Sequence, residues 1–262
     1  MASLTASRVL APVGTAGKLF AFGLDVGRGM FRRPFQFREF IQQAWFIASV
    51  TIIPTALVAI PFGAVIALQV GGLIKQFGAQ SFTGSASVLA VVREAGPIAT
   101  SLLIAGAGGS AIAADLGARK IREELDALMV LGVDPIKNLV VPRFLSLMLI
   151  TGLLNIYALL FGISGGIFAE LTYGQPLGGF FATLFNNASV TDLWGSVLKT
   201  TLFGAIVAIV CSYKGMNASG GAQGVGTAVN EAVVIAFMGV FAFNYVFTQT
   251  LLATHPEIST IK

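Results

Sequence analysis

Residues 93–117, REAGPIATSLLIAGAGGSAIAADLG, run straight into residues 118–143, ARKIREELDALMVLGVDPIKNLVVPR. A pair of opposite charges, Arg93-Glu94, opens an apolar segment dense in Gly, Ala and Ser. A highly charged stretch follows, and Pro142-Arg143 then opens the next apolar run. This order predicts a membrane-crossing helix joined to a short surface helix that something soluble can push.

Composition agrees. Of the 262 residues, 55% are hydrophobic and 11% charged, against about 25% charged in a soluble domain. Mean hydropathy is +0.84. The apolar residues come in blocks of roughly twenty or more, the length that crosses a bilayer core. The chain therefore reads as an all-α integral membrane protein. Its 31 glycines suit close helix packing in lipid. The formal charge of +4 does not point to nucleic acid, because the basic residues flank apolar spans and form no stripe. One cysteine, Cys211, excludes an intrachain disulfide, and one histidine, His255, argues against a histidine metal site. The first 30 residues lack a compact apolar core followed by a small-residue cleavage site, so no cleavable signal peptide is expected.

Five spans are predicted, at 45–71, 88–114, 143–169, 193–213 and 229–252. Pro54 and Pro61 predict a kink or break in the first. Twelve basic residues, from Arg8 to Arg38, Arg119 to Arg143 and Lys214, fall on one side of this topology, with Lys75 and Lys262 on the other. That bias predicts a cytoplasmic N-terminus and an extracytoplasmic C-terminus. Residues 13–40 mix Phe and Leu with Lys and Arg, which predicts an interfacial helix divided near Pro34; a disordered basic tail is the alternative. The patch Phe180–Phe185 predicts a short helix or a docking surface in the outer segment 170–192. No internal repeat is evident.

Few charged residues lie within the spans. Arg93 and Glu94 sit about six residues, roughly 9 Å, into span two, and Lys199 sits at a matching depth in span four. Glu94 and Lys199 can pair if those spans are neighbours. The pair is then either structural or a polar element of a substrate cavity. Two rows of small residues run along span two, Ala105-Gly109-Ala113 and Gly106-Ser110-Ala114; Gly162 and Gly166 do the same in span three. Such rows serve intrachain packing or a subunit interface. Over 116–131 one helix is expected, with Ile121, Leu125, Leu128 and Met129 on one face and Arg119, Lys120, Arg122, Glu123, Glu124 and Asp126 around the rest. On spacing alone it is either a solvated connector or a docking element. No phosphate-binding lysine loop is present, and the Gly-rich segment 215–226 reads as a flexible turn.

Several ordered motifs resemble the MlaE/YrbE permease family: Arg93-Glu94-Ala95-Gly96-Pro97, the run Gly108 to Gly117, Asp126-Ala127-Leu128, Gly132-Val133-Asp134-Pro135 and Val141-Pro142-Arg143. The resemblance covers nearly the whole chain. It implies one permease domain over 1–262, with an interfacial segment at 1–44, the five-helix region at 45–252 and a tail at 253–262. It further implies a dimer of permeases, two cytoplasmic ATPases that bind ATP and Mg, and MCE-domain proteins outside the inner membrane. The chain itself would carry no cofactor and catalyse nothing. The 116–131 helix would be the coupling helix, docking through Arg119, Ile121, Arg122, Glu124, Leu125, Leu128 and Met129. Spans one, two and five would enclose a lipid cavity at the dimer interface, with Gly106, Gly109, Ser110 and Ala113 as interface candidates. Many family members carry G-R-x-G where this chain reads Gly106-Ala107-Gly108-Gly109. That departure is similar to the A-type YrbE permeases of actinobacterial, including mycobacterial, Mce systems, which pair with a B-type subunit and import fatty acids or sterols. An ATPase-independent transporter or channel and a non-transporting scaffold for MCE proteins are the competing functions.

Overall fold

A computed structural model describes residues 2–32, 34–78, 84, 86, 88–172 and 177–255. Five helices are long and apolar enough to cross a membrane: Phe37–Ile74, Leu89–Ile121, Ile136–Thr172, Val190–Met216 and Gly221–Thr254. No strand occurs among the described residues. Each helix outruns its predicted span, because backbone hydrogen bonding continues into the flanking polar residues where the hydropathy signal stops. Span one stays helical through Pro54 and Pro61, where a kink or break was expected. Prolines are tolerated in membrane helices because neighbouring helices and local backbone adjustment compensate the lost hydrogen bond.

Span three lies at the centre of the packing. It packs most extensively on span one and next on span four, while spans two and five close against span four. Glycine makes the one–three contact possible: a methyl group added at Gly63 would overlap the Gly162 carbonyl, and one added at Gly165 would overlap the Ile60 carbonyl. The buried core continues through Ile47, Ile104, Leu116, Leu147, Phe203 and Val207.

The N-terminal helix runs Ala2–Met30 and ends before Pro34. The expected second piece has no separate existence, because helix resumes at Phe37 and continues as span one. Val26 and Met30 pack inward, whereas Phe20 is 72% and Phe31 88% exposed beside basic residues. This helix lies at the end of the bundle that gathers Arg119, Arg122, Lys137 and Lys214, called the basic end below. At the opposite end, Leu177–Asn187 forms a short helix with Phe180 and Leu184 buried and Phe185 exposed.

Two predicted segments take a different form. The expected 116–131 helix is broken: span two ends at Ile121, Glu123 is left-handed at φ 58°, and a tip helix occupies Glu124–Val130. Ion pairs hold the bend, Lys120–Asp126 at 2.9 Å and Arg122–Glu124 at 2.7 Å. Their spacings, six and two residues, are not those of an unbroken helix. The Gly-rich segment is mostly helical, because span five starts at Gly221 and leaves only a short turn before it. Gly220, at φ 88°, makes that turn.

Gly165→Ala is expected to destabilise the bundle by about 1–3 kcal/mol, the usual cost of overpacking. Gly106→Ala, which meets open space, should be neutral or slightly stabilising. Thermal unfolding of the two purified variants in detergent compares them directly. Equal losses would contradict the one–three contact.

Candidate functional site

At the end opposite the basic one, three spans contribute to a network of charges. Arg93 and Glu94 lie in a π-helical turn, Val88–Ala95, that opens span two; such turns often mark functional positions. Ser189 caps span four, and Asp192 completes the capping box. The Asp192 carboxylate also accepts from Arg93 Nε at 2.7 Å, with its side chain 1% exposed. Seven residues on, and so on the same helix face, Lys199 Nζ donates to Glu94 Oε1 at 3.1 Å, the Arg93 carbonyl at 2.9 Å and Thr248 Oγ1 at 2.9 Å. All three ammonium protons are thereby used. Thr248 and Asn244, one turn apart on span five, donate to the two oxygens of Glu94 at 2.8 Å each.

The network is charge-balanced, two cations against two anions, as a low-dielectric setting requires. It borders a cavity of about 220 Å³ lined by Arg93, Glu94, Asp192, Lys199, Thr248 and Leu251. Gly195 and Leu251 also line a neighbouring apolar groove of about 360 Å³, walled by Trp194, Leu198 and Phe247. A mainly apolar cavity edged by charged side chains thus adjoins an apolar groove.

A second network lies at the basic end. Arg143, 1% exposed, reaches Asp115 Oδ2 at 2.7 Å and Glu39 Oε1 at 3.4 Å. Arg119 also bonds Asp115, at 3.2 Å. Beyond it, the tip helix buries Leu125 and half-buries Ile121 and Leu128. Met129, Val130 and Leu131 are 56%, 87% and 76% exposed. Arg122 and Glu124 hold each other charged: their hydrogen bond raises the guanidinium pKa and lowers that of the carboxyl.

The predicted site residues are thus partly brought together. Glu94 and Lys199 meet directly, and Arg93 turns to Asp192. The docking candidates divide, with Leu125 inside and Met129 outside. The small-residue rows divide as well. Gly109 lies against Cys211 and Val207, and Ala113 is fully buried beside Gly215. Gly106 is exposed and Ser110 half-buried on the other face, where the π-helical turn Ala105–Gly109 touches spans one and five. Asp192, Asn244, Thr248, Glu39, Val130 and Leu131 were not singled out by sequence reasoning, and Asp115 only as part of the family motif. The Ser189-x-x-Asp192 capping pattern, seven residues before Lys199, was a usable signal for Asp192.

Glu94→Gln leaves the buried Lys199 ammonium without its counter-charge and is expected to cost about 3–5 kcal/mol. Lys199→Met should cost less, because the Glu94 side chain is 38% exposed and keeps two other donors. Thermal unfolding of both single variants and the double variant checks this, with the double loss smaller than the sum. Strict additivity would contradict the pairing.

The family model described as Permease MlaE matches residues 40–250. The chain is 29% identical to a "Probable ABC transporter permease protein" of Rickettsia bellii, over 95% of this chain and 96% of that one. A protein of Synechocystis sp. with the same description is 31% identical, over 93% of this chain and 90% of that one. The "Intermembrane phospholipid transport system permease protein MlaE" of Haemophilus influenzae is 27% identical, over 91% of each chain. Together with the five spans, these matches show that the chain is a multi-pass membrane protein of the MlaE permease family.

Proposed function

We propose that the chain is one permease subunit of an ABC transporter that moves lipids across or out of a membrane, driven by ATP and Mg bound on a separate ATPase. The exposed tip carries this reading. Three consecutive apolar side chains, Met129, Val130 and Leu131, stand beyond the bilayer span at 56–87% exposure. Contiguous exposed apolar surface rimmed by charge marks a docking site. The rim is supplied by Arg119, Lys120, Arg122, Glu123 and Glu124. The excess of basic residues at this end supports placing it in the cytoplasm, where an ATPase would be met. The tip then serves as the coupling helix, with Met129, Val130 and Leu131 as its anchors and Leu125 as its internal support.

The apolar cavities at the other end, edged by charge, support a lipid substrate, as does the phospholipid transport for which the Haemophilus influenzae relative is named. Gly106 and Ser110, on the open face between spans one and five, form part of a contact with a second permease. The missing arginine at 106–109 favours an A-type YrbE subunit paired with a B-type partner. MCE-domain proteins would then receive or deliver lipid at the extracytoplasmic end. Fatty acids, sterols and phospholipids, each largely apolar with a polar end, suit apolar cavities edged by charge.

Replacing Met129 and Leu131 together by Asp is expected to reduce ATPase co-purification at least tenfold, about 1.4 kcal/mol of docking energy, and to abolish ATP-driven lipid transfer in proteoliposomes. The bundle should stay folded, since both side chains are exposed. Unchanged co-purification and transfer would overturn the docking assignment.

A further inference from the structure

The buried arginine at the basic end has a geometry that stability alone does not require. Arg143 lies in the first turn of the helix Val141–Thr172, and its side chain is 1% exposed. Its guanidinium joins three elements. Nη2 reaches Asp115 of span two at 2.7 Å and Glu39, in the first turn of span one, at 3.4 Å. Nη1 donates to the Leu139 carbonyl at 2.7 Å, inside the π-helical turn Ile136–Val140 that leads into span three. A buried ion cluster of this kind is often no more stable than apolar residues of equal volume. Its distinctive property is direction, because a planar fork holds its acceptors in one arrangement.

The cluster and the tip's own ion pair are anchored on the same end of span two, whose helical backbone joins them. Asp126 of the tip helix bonds Lys120 at 2.9 Å. One turn further into span two, Asp115 is shared between Arg119 at 3.2 Å and Arg143 at 2.7 Å. From Arg143 the connection enters span one through Glu39. Two further bonds secure the same junction: Ser146 donates to the Phe40 carbonyl at 2.8 Å, and Gln36 donates to Asn138 at 3.0 Å. Apolar contact between spans one and two also exists, as where Gly108 faces Ile47, but such contacts can slide. Asp115 holds both arginines at once, Oδ1 to Arg119 at 3.2 Å and Oδ2 to Arg143 at 2.7 Å, and so ties the helix end that carries the tip to span three.

We propose that Arg143 is a positioning residue that converts movement of the tip helix into movement of span one, with Asp115 as its input and Glu39 as its output. This rests on the transporter reading above. Span one is the helix with the longest apolar exposed face, including Ile53 and Leu57, so it is a wall that lipid or a second subunit meets. A tip displacement passed through Arg143 reaches that wall directly.

The test measures lipid transferred per ATP hydrolysed by the assembled complex in proteoliposomes. Glu39→Ala cuts the output and leaves the Asp115–Arg143 bond in place. It is expected to keep ATP hydrolysis within twofold of wild type while lipid transferred per ATP falls at least fivefold. Arg143→Lys keeps the charge but has a single nitrogen, which cannot meet the acids and the Leu139 carbonyl in the same arrangement; it is expected to uncouple similarly, whereas Glu39→Asp should restore part of the ratio. A purely structural role would lower hydrolysis and transfer together, in proportion to assembled complex, and that result overturns the proposal. An unchanged ratio in Glu39→Ala overturns it too. A wild-type complex that moves no lipid with ATP would instead overturn the transporter reading on which the proposal stands.

Discussion

A charge carried into a membrane helix must bring its counter-charge with it, and this constraint organises the molecule. Among the described residues most buried charges fall in two networks, one toward each end of the bundle; Glu170, near the end of span three, belongs to neither. Arg93, Glu94, Asp192 and Lys199 are held by spans two, four and five; Glu39, Asp115 and Arg143 join spans one, two and three. The middle between them carries no charge network; it is apolar, with buried hydroxyls and the Asn155–Ser196 hydrogen bond at 2.8 Å among the packed side chains. Each network ties together helices that apolar contact alone would allow to slide. Register and neighbour choice therefore depend on them more than on the lipid-facing surfaces.

Close helix approach complements the ion pairs. Lipid offers no hydrophobic drive between helices, so packing must supply the attraction. Gly63, Gly162 and Gly165 let spans one and three approach to backbone contact, and Gly215 does the same for spans four and two at the Ala113 carbonyl. The same residue type at Gly106 meets open space. Identical sequence signals along one helix thus serve internal packing on one face and remain available to a partner on the other.

Much of the architecture was legible in the sequence, for identifiable reasons. Blocks of about twenty apolar residues can only be membrane helices, so the five spans followed. Equal depth in two spans running the same way was enough to suggest the pairing of Glu94 with Lys199, which the structure places 3.1 Å apart. Other features escaped. Hydropathy cannot show that helix continues past the bilayer, so Phe37 to Ala44 and Gly221 to Ala228 were left outside the predicted spans. The break at Glu123 was hidden because the surrounding residues favour helix and the apolar spacing survived on paper. That break rotates Leu125 inward and Val130 and Leu131 outward. The Arg143 network was obscured because its members are 28 and 104 positions apart, counting from Asp115 and Glu39.

The central claim is that this chain works as the lipid-conducting part of a larger ATP-driven assembly. Purifying the intact complex from its native membrane, with its subunits and bound lipid identified by mass spectrometry, tests it most directly. The account predicts a second permease chain, an ATPase, MCE-domain proteins and a stoichiometric amphiphilic lipid. Recovery of the chain without an ATPase, together with lipid flux that ignores ATP, would contradict it.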